Sequence, residues 1–204
     1  MNEASAFGIA VLLSGTGRTL ENLVRRRDEG RFAPRIVAVA SNRAGVWGLE
    51  VAAAAGIPHE VFRKSRYEDV SARDRALWDF VHAHDADLVV LAGYLALLDL
   101  SASRGVPVVN IHPSLLPRHG GDGYYGDRVH RAVLEAGDRE SGCSVHRVDS
   151  AYDTGPVLAR RRVPVRPDDD VRSLADRVFA AECALYPETI EAIARGEIPL
   201  DGDD

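Results

Sequence analysis

The chain has 204 residues, 46% of them hydrophobic, and 31 acidic against 25 basic side chains give a formal charge of −6. That length fits one domain, the negative balance argues against non-specific binding to nucleic acid or anionic membranes, and no apolar run approaches the roughly 20 residues of a membrane helix. Cys143 and Cys183 are the only cysteines and form no motif, and the first seven residues carry Glu3 without a basic stretch, so the reading is a cytoplasmic protein with reduced thiols and no secretory signal.

In chain order, residues 8–13 form a continuous apolar run of strand length, followed at once by Ser14-Gly15-Thr16-Gly17. Leu20, Leu23 and Val24 then recur at helical spacing, so strand, glycine turn and helix open a βαβ unit. A second strand is expected over 35–39, a helix over 48–55, a short third strand near 60–62 and a helix over 73–84. Apolar strands follow at 87–92 and 106–111. Repeated strands of this kind imply a parallel sheet covered on both faces, with ligands beyond the carboxyl ends of the strands. Residues 119–126 are glycine-rich and read as a loop. A helix over 129–136 precedes two strands, 141–148 and 157–165, expected to pair antiparallel at one end of the sheet. A long helix over 171–195 follows, which Pro187 is expected to kink or divide, and 201–204 reads as a frayed tail. The fold class is therefore α/β: one domain with an open, mostly parallel sheet, helices on both faces and an antiparallel edge. The basic runs 25–27 and 160–162 read as solvated faces.

Three places could carry chemistry. The turn through Gly15 and Gly17 exposes backbone N–H groups at a helix N-terminus, which suits a phosphate or simply permits a tight turn. Asn110 and His112 lie two apart at the end of a strand, so an amide and an imidazole project from one face. An amide N–H can stabilise a developing oxyanion and an imidazole can exchange a proton near neutral pH. Asp153, before Thr154-Gly155-Pro156, could orient His112 and raise its pKa, or could form an Asx-type turn. His112, His119, His130 and His146 show no metal-binding spacing, so no metal is expected.

These features together resemble the glycinamide ribonucleotide formyltransferase family. The likeness rests on residues 11–17, on Leu91-Ala92-Gly93-Tyr94-Leu95, on Asn110-Ile111-His112-Pro113-Ser114-Leu115-Leu116-Pro117, and on Gly142-Cys143-Ser144-Val145-His146 with Asp153-Thr154-Gly155-Pro156. It implies a formyltransferase-type fold and transfer of a formyl group from the cosubstrate 10-formyltetrahydrofolate to an amine in purine synthesis, by a monomer or homodimer acting on small molecules. It implies Asn110, His112 and Asp153 as catalytic residues, with Asp153 keeping His112 charged. Gly17, Arg18, Thr19, Pro113 and Glu182 would bind the amine substrate. Leu95, Ala96, Leu97 and Leu98, with Asp149, Ser150, Ala151 and Tyr152, would line the pterin pocket. Arg18 and Thr19 stand where the family commonly has a small Ser-Asn pair. The alternatives are formyl transfer to another amine and a non-catalytic nucleotide-binding module.

Overall fold

The computed structural model describes residues 7–200. Residues 1–6, most of the segment read for a signal, and the expected tail at 201–204 lie outside the described residues. The strands form a seven-stranded sheet in the order β3-β2-β1-β4-β5-β6-β7. The chain divides into two compact units, Met1–Val109 and Asn110–Asp204.

In the first unit, β1 (Gly8–Leu13) is buried at every residue. It pairs in parallel with β2 (Arg35–Ser41) on one side and β4 (Leu88–Leu91) on the other, and β2 pairs in parallel with β3 (His59–Val61). Strands flanked on both sides and covered on both faces need an apolar residue at nearly every position, which is why these runs do not alternate. Helices α1 (Arg18–Asp28), α2 (Trp47–Ala54) and α3 (Val70–Ala83) connect them. Helix α3 begins three residues before the sequence reading, because the Asp69 carboxylate accepts the Ala72 N–H at 2.6 Å and caps the first turn. Each fully buried leucine, isoleucine or valine here contributes about 1.5–3 kcal/mol of transfer free energy.

The second unit holds the end of β5 (Val108–His112), α4 (Asp127–Glu135), the antiparallel pair β6 (Glu140–Arg147) and β7 (Val157–Pro164), and α5 (Val171–Ala194). Helix α5 packs on β6 and β7 with Leu174, Val178, Ala181 and Leu185 buried, as their spacing predicts. Its N-terminus carries a reciprocal cap between Asp170 and Ser173. Pro187 does not divide it: the helix runs on to Ala194 with Pro187 buried inside. Residues 119–126 form no helix or strand. No helix among the described residues is long and apolar enough to cross a membrane.

Candidate active site

Strand β5 ends on Asn110 and His112, and the loop that follows is fastened to β6. The buried Ser144 hydroxyl donates to the Ser114 carbonyl at 2.8 Å and accepts from the Leu116 N–H at 3.0 Å. The β6–β7 register shifts between Val145 and His146. The residue left without a partner there is Leu158 of β7, so β6 keeps its alternation and His146 falls on the same face as Ser144.

The loop between β6 and β7 supplies Asp153. Its φ of 58° is left-handed, a conformation asparagine and aspartate tolerate better than most residues. The Asx turn belongs to Asp149, whose Oδ1 accepts from the Ala151 N–H at 3.0 Å and the Thr154 hydroxyl at 2.6 Å. Asp149 thus holds the loop and Asp153 is left to point inward. Its Oδ2 lies 3.2 Å from His112 Nδ1 and accepts the Gly121 N–H at 3.0 Å, while Oδ1 lies 3.4 Å from His146 Nε2. Asn110 Nδ2 is 3.1 Å from the same His146 Nε2. Asn110, His112, His146 and Asp153 therefore form one connected cluster, with His112 4% and His146 2% exposed.

The ring nitrogens can be assigned from their partners. His146 Nδ1 donates to the Arg147 carbonyl at 2.9 Å. A neutral His146 then presents a bare Nε2 that accepts from Asn110, whereas a charged His146 has an Nε2–H to offer to Asp153. His112 Nε2 donates to the His119 carbonyl at 2.8 Å, and its Nδ1 faces Asp153. Both nitrogens face acceptors, so only the imidazolium can donate to both.

Burial works against that charge. It pushes the pKa of His112 below the ordinary histidine value, more than the neighbouring Asp153 carboxylate and the His119 carbonyl raise it. The Asp153 carboxylate acts in the direction the sequence reading gave it, favouring the charged ring, and burial opposes it. Asp153 shows the opposite balance: burial raises its pKa, but the His146 hydrogen bond, the His112 charge and the Gly121 N–H together bring it below the ordinary carboxylate value.

Glu182, on α5, is half-buried; burial, helped by the Glu182 charge, pushes the Cys143 thiol up to about 12. Both cysteines are free thiols. Pro113 is half-buried, Ser150 and Ala151 are exposed, and Tyr152 is 37% exposed. A cavity of about 340 Å³ lies against Leu115, Arg118, His119 and Ser141 and does not include Asn110, His112 or Asp153; Arg118 and Arg162 on its wall pair with Asp138 and Glu140. No group of three metal-ligating side chains comes together among the described residues.

In the first unit, the glycine turn is braced by α2. Gly17 has a φ of 70°, and a Cβ there would run into the Gly48 Cα, while Gly48 N–H bonds the Gly15 carbonyl at 3.2 Å. Leu95 and Leu97 are exposed, Ala96 is half-buried and Leu98 is buried. The Ser14 hydroxyl accepts the Leu95 N–H at 2.9 Å, and the Ser14 N–H bonds the Gly93 carbonyl at 3.1 Å.

Sequence reasoning singled out Asn110, His112 and Asp153 but gave His146 no role beyond a strand residue, a poor metal ligand and the last residue of one segment of the resemblance. That it is a buried polar residue on a strand was a further signal, and burial is not readable from a single sequence.

An α/β sheet that ends one strand on an amide and an imidazole, with a carboxylate brought to them by a distant loop, matches the family described as formyl transferase over residues 8–190, and the chain belongs to that family. The chain is 34% identical to phosphoribosylglycinamide formyltransferase of Haemophilus influenzae, covering 94% of this chain and 89% of that protein. It is 38% identical to the chloroplastic phosphoribosylglycinamide formyltransferase of Vigna unguiculata over 93% of this chain. It spans 62% of that plant protein's length and between 14% and 19% of the length of trifunctional purine biosynthetic relatives. Among solved structures, glycinamide ribonucleotide transformylase 1 from Symbiobacterium toebii superposes with a TM-score of 0.89 at 36% identity, covering 98% of this chain and 93% of that one.

Proposed function

We propose that this chain is a folate-dependent enzyme that moves the formyl group of 10-formyltetrahydrofolate to the amine of glycinamide ribonucleotide in purine synthesis. The amine nitrogen attacks the formyl carbon, forming a C–N bond and a tetrahedral oxyanion. Collapse breaks the bond from that carbon to the folate nitrogen, which takes a proton while the former amine loses one. The observation that carries this reading is the approach of Asp153 to His112 at 3.2 Å, with Asn110 joined to Asp153 through His146.

Asn110 has two amide protons. One is used on His146 when that ring is neutral, and the other is available to the oxyanion. His112 serves proton transfer through Nε2, which must first leave the His119 carbonyl. Asp153 orients the ring and favours its charged form against the pull of burial. Gly17, Arg18 and Thr19 hold the phosphate at the N-terminus of α1. Glu182 and Pro113 contact the amine substrate. Leu95, Ala96, Leu97 and Leu98, with Asp149, Ser150, Ala151 and Tyr152, receive the pterin. Two exposed leucines on a segment fixed by Ser14 suit a flat aromatic ring.

The test is to incubate the protein with 10-formyltetrahydrofolate, with and without glycinamide ribonucleotide, and follow the folate absorbance. Turnover that depends on that amine is expected. His112→Ala is expected to lower the rate by about 10²–10⁴-fold with an unchanged circular dichroism spectrum. Turnover without the amine points to hydrolysis, and turnover with other amines only points to a different acceptor; either result overturns this assignment.

A further inference from the structure

We infer that Asp74, Trp78 and His82 of α3, with Arg73, are positioning residues that hold the segment 93–103 as a preformed platform for the folate cosubstrate. The inference rests on the proposed function, which assigns residues 95–98 to the pterin. The segment has little regular structure, only a short 3-10 turn at Leu100–Ala102. Yet its backbone is bound by side chains along its length. Arg73 donates to the Leu97 carbonyl at 3.3 Å. The Asp74 Oδ2 accepts the Asp99 N–H at 3.0 Å, and the Trp78 indole N–H donates to the Asp99 carbonyl at 2.7 Å. His82 Nε2 donates to the Ser103 carbonyl at 3.0 Å.

Asp74, Trp78 and His82 are spaced four apart, so they lie along one face of α3. Their backbone partners, Asp99 and Ser103, are spaced four apart as well. The helix face thus works as a rail: Asp74 and Trp78 both grip Asp99, and the step from Trp78 to His82 matches the step from Asp99 to Ser103. Arg73 and Asp74 are 5% and 1% exposed, and the guanidinium meets the carboxylate at 2.6 Å and 2.7 Å. A buried pair of this kind is retained at a desolvation cost. Here its remaining donor and acceptor reach the two backbone groups on either side of Leu98. Trp78 is fully buried, so its N–H needs a partner, and that partner is the platform.

The effect on function follows from preorganisation. A floppy segment carrying Leu95 and Leu97 must be ordered when the cosubstrate binds, and that ordering weakens affinity. A segment already held by five side chains, Ser14 included, loses little entropy on binding. The rail therefore acts on folate affinity and leaves the amine acceptor untouched.

Trp78→Phe tests this by removing the indole N–H while keeping an aromatic ring in the core. The expected result is a rise in KM for 10-formyltetrahydrofolate of about three- to tenfold, the size of one net hydrogen bond, with KM for glycinamide ribonucleotide unmoved. Asp74→Asn, which weakens the hold on Asp99 N–H and the pair with Arg73, should move the same parameter the same way. Arg104→Ala, which alters only an exposed pair with Asp79, serves as control. A folded Trp78→Phe protein with both KM values unchanged, or with both raised equally, overturns the inference. If the wild-type protein shows no transfer, the proposed function fails first. Calorimetric titration of 10-formyltetrahydrofolate into wild-type and Trp78→Phe protein then reads the platform by itself, and absence of folate binding by the wild type overturns the platform too.

Discussion

Asp153 is the residue on which the cluster converges. One carboxylate serves His112, His146 and the Gly121 N–H. Asp153→Asn keeps the shape but removes the charge that opposes burial at His112. The His112 pKa should therefore fall further, and the activity should drop by about 10²–10⁴-fold. Whatever activity is left should have its pH profile shifted to the acid side, because a lower pKa requires more acid to charge the ring. A pH–rate profile with an unmoved limb would remove Asp153 from the charge balance. Asn110 and His112 were legible because an i, i+2 pair at a strand end must share a face. Asp153 was legible only as a possibility, since an Asx turn was the better explanation of it taken alone. The structure separates the two uses by giving the turn to Asp149. His146 was hidden because its approach to Asn110 and Asp153 is a tertiary contact that no local pattern specifies.

At the scale of elements, the contact between Gly17 and Gly48 shows what local pattern cannot supply. Each glycine reads alone as a turn or a weak helix position. Together they let two backbones approach so closely that a Cβ at Gly17 would strike the Gly48 Cα, while one at Gly48 would strike the Leu13 side chain. Gly17→Ala should strain the backbone by about 1–2 kcal/mol from its left-handed φ alone, and the clash with Gly48 adds to it. The expected outcome is a lower melting temperature and a KM for glycinamide ribonucleotide raised more than tenfold, measured against a nearly constant KM for the folate. Helix α5 teaches a related lesson. Proline costs about 3 kcal/mol inside a helix, so a break at Pro187 was the physical expectation. Burial of Leu185, Tyr186, Ile190 and Ile193 on both sides of it offsets that cost, and tertiary burial is invisible to propensity.

At the scale of the whole molecule, the fold class was legible because buried parallel strands are apolar throughout, and the antiparallel edge because β6 and β7 follow one another with no helix between them. The strand order was not, since any apolar strand can pair with any other. Acid sensitivity is a property of the whole chain that follows from two buried rings. Burial lowers the pKa of both His112 and His130, and His130 Nδ1 has no hydrogen-bond partner among the described residues. The unfolded chain titrates these groups near 6.5, above their folded values. Between the two, the unfolded state binds more protons, so stability is full above about pH 6.5 and falls as the pH drops toward the folded values. Melting temperatures should decline over that window by about 2–4 °C for each kcal/mol lost. His130→Asn should make the decline shallower, and an equally steep one would assign the effect elsewhere.

Strand β7 ends the strand order and has a neighbour on one side only. An open strand edge invites another chain to pair with it, and charged side chains or proline discourage this. Arg160, Arg161 and Arg162 occupy the middle of β7, and Pro156 and Pro164 bracket it. Each arginine is held in place, Arg160 by the Leu116 carbonyl, Arg161 by Glu188 and Arg162 by Glu140. A run of three arginines that looks like a place for a partner is thus a barrier to one. Its consequence is colloidal: replacing Arg161 and Arg162 with threonine should leave a folded protein that scatters light and precipitates at concentrations the native chain tolerates.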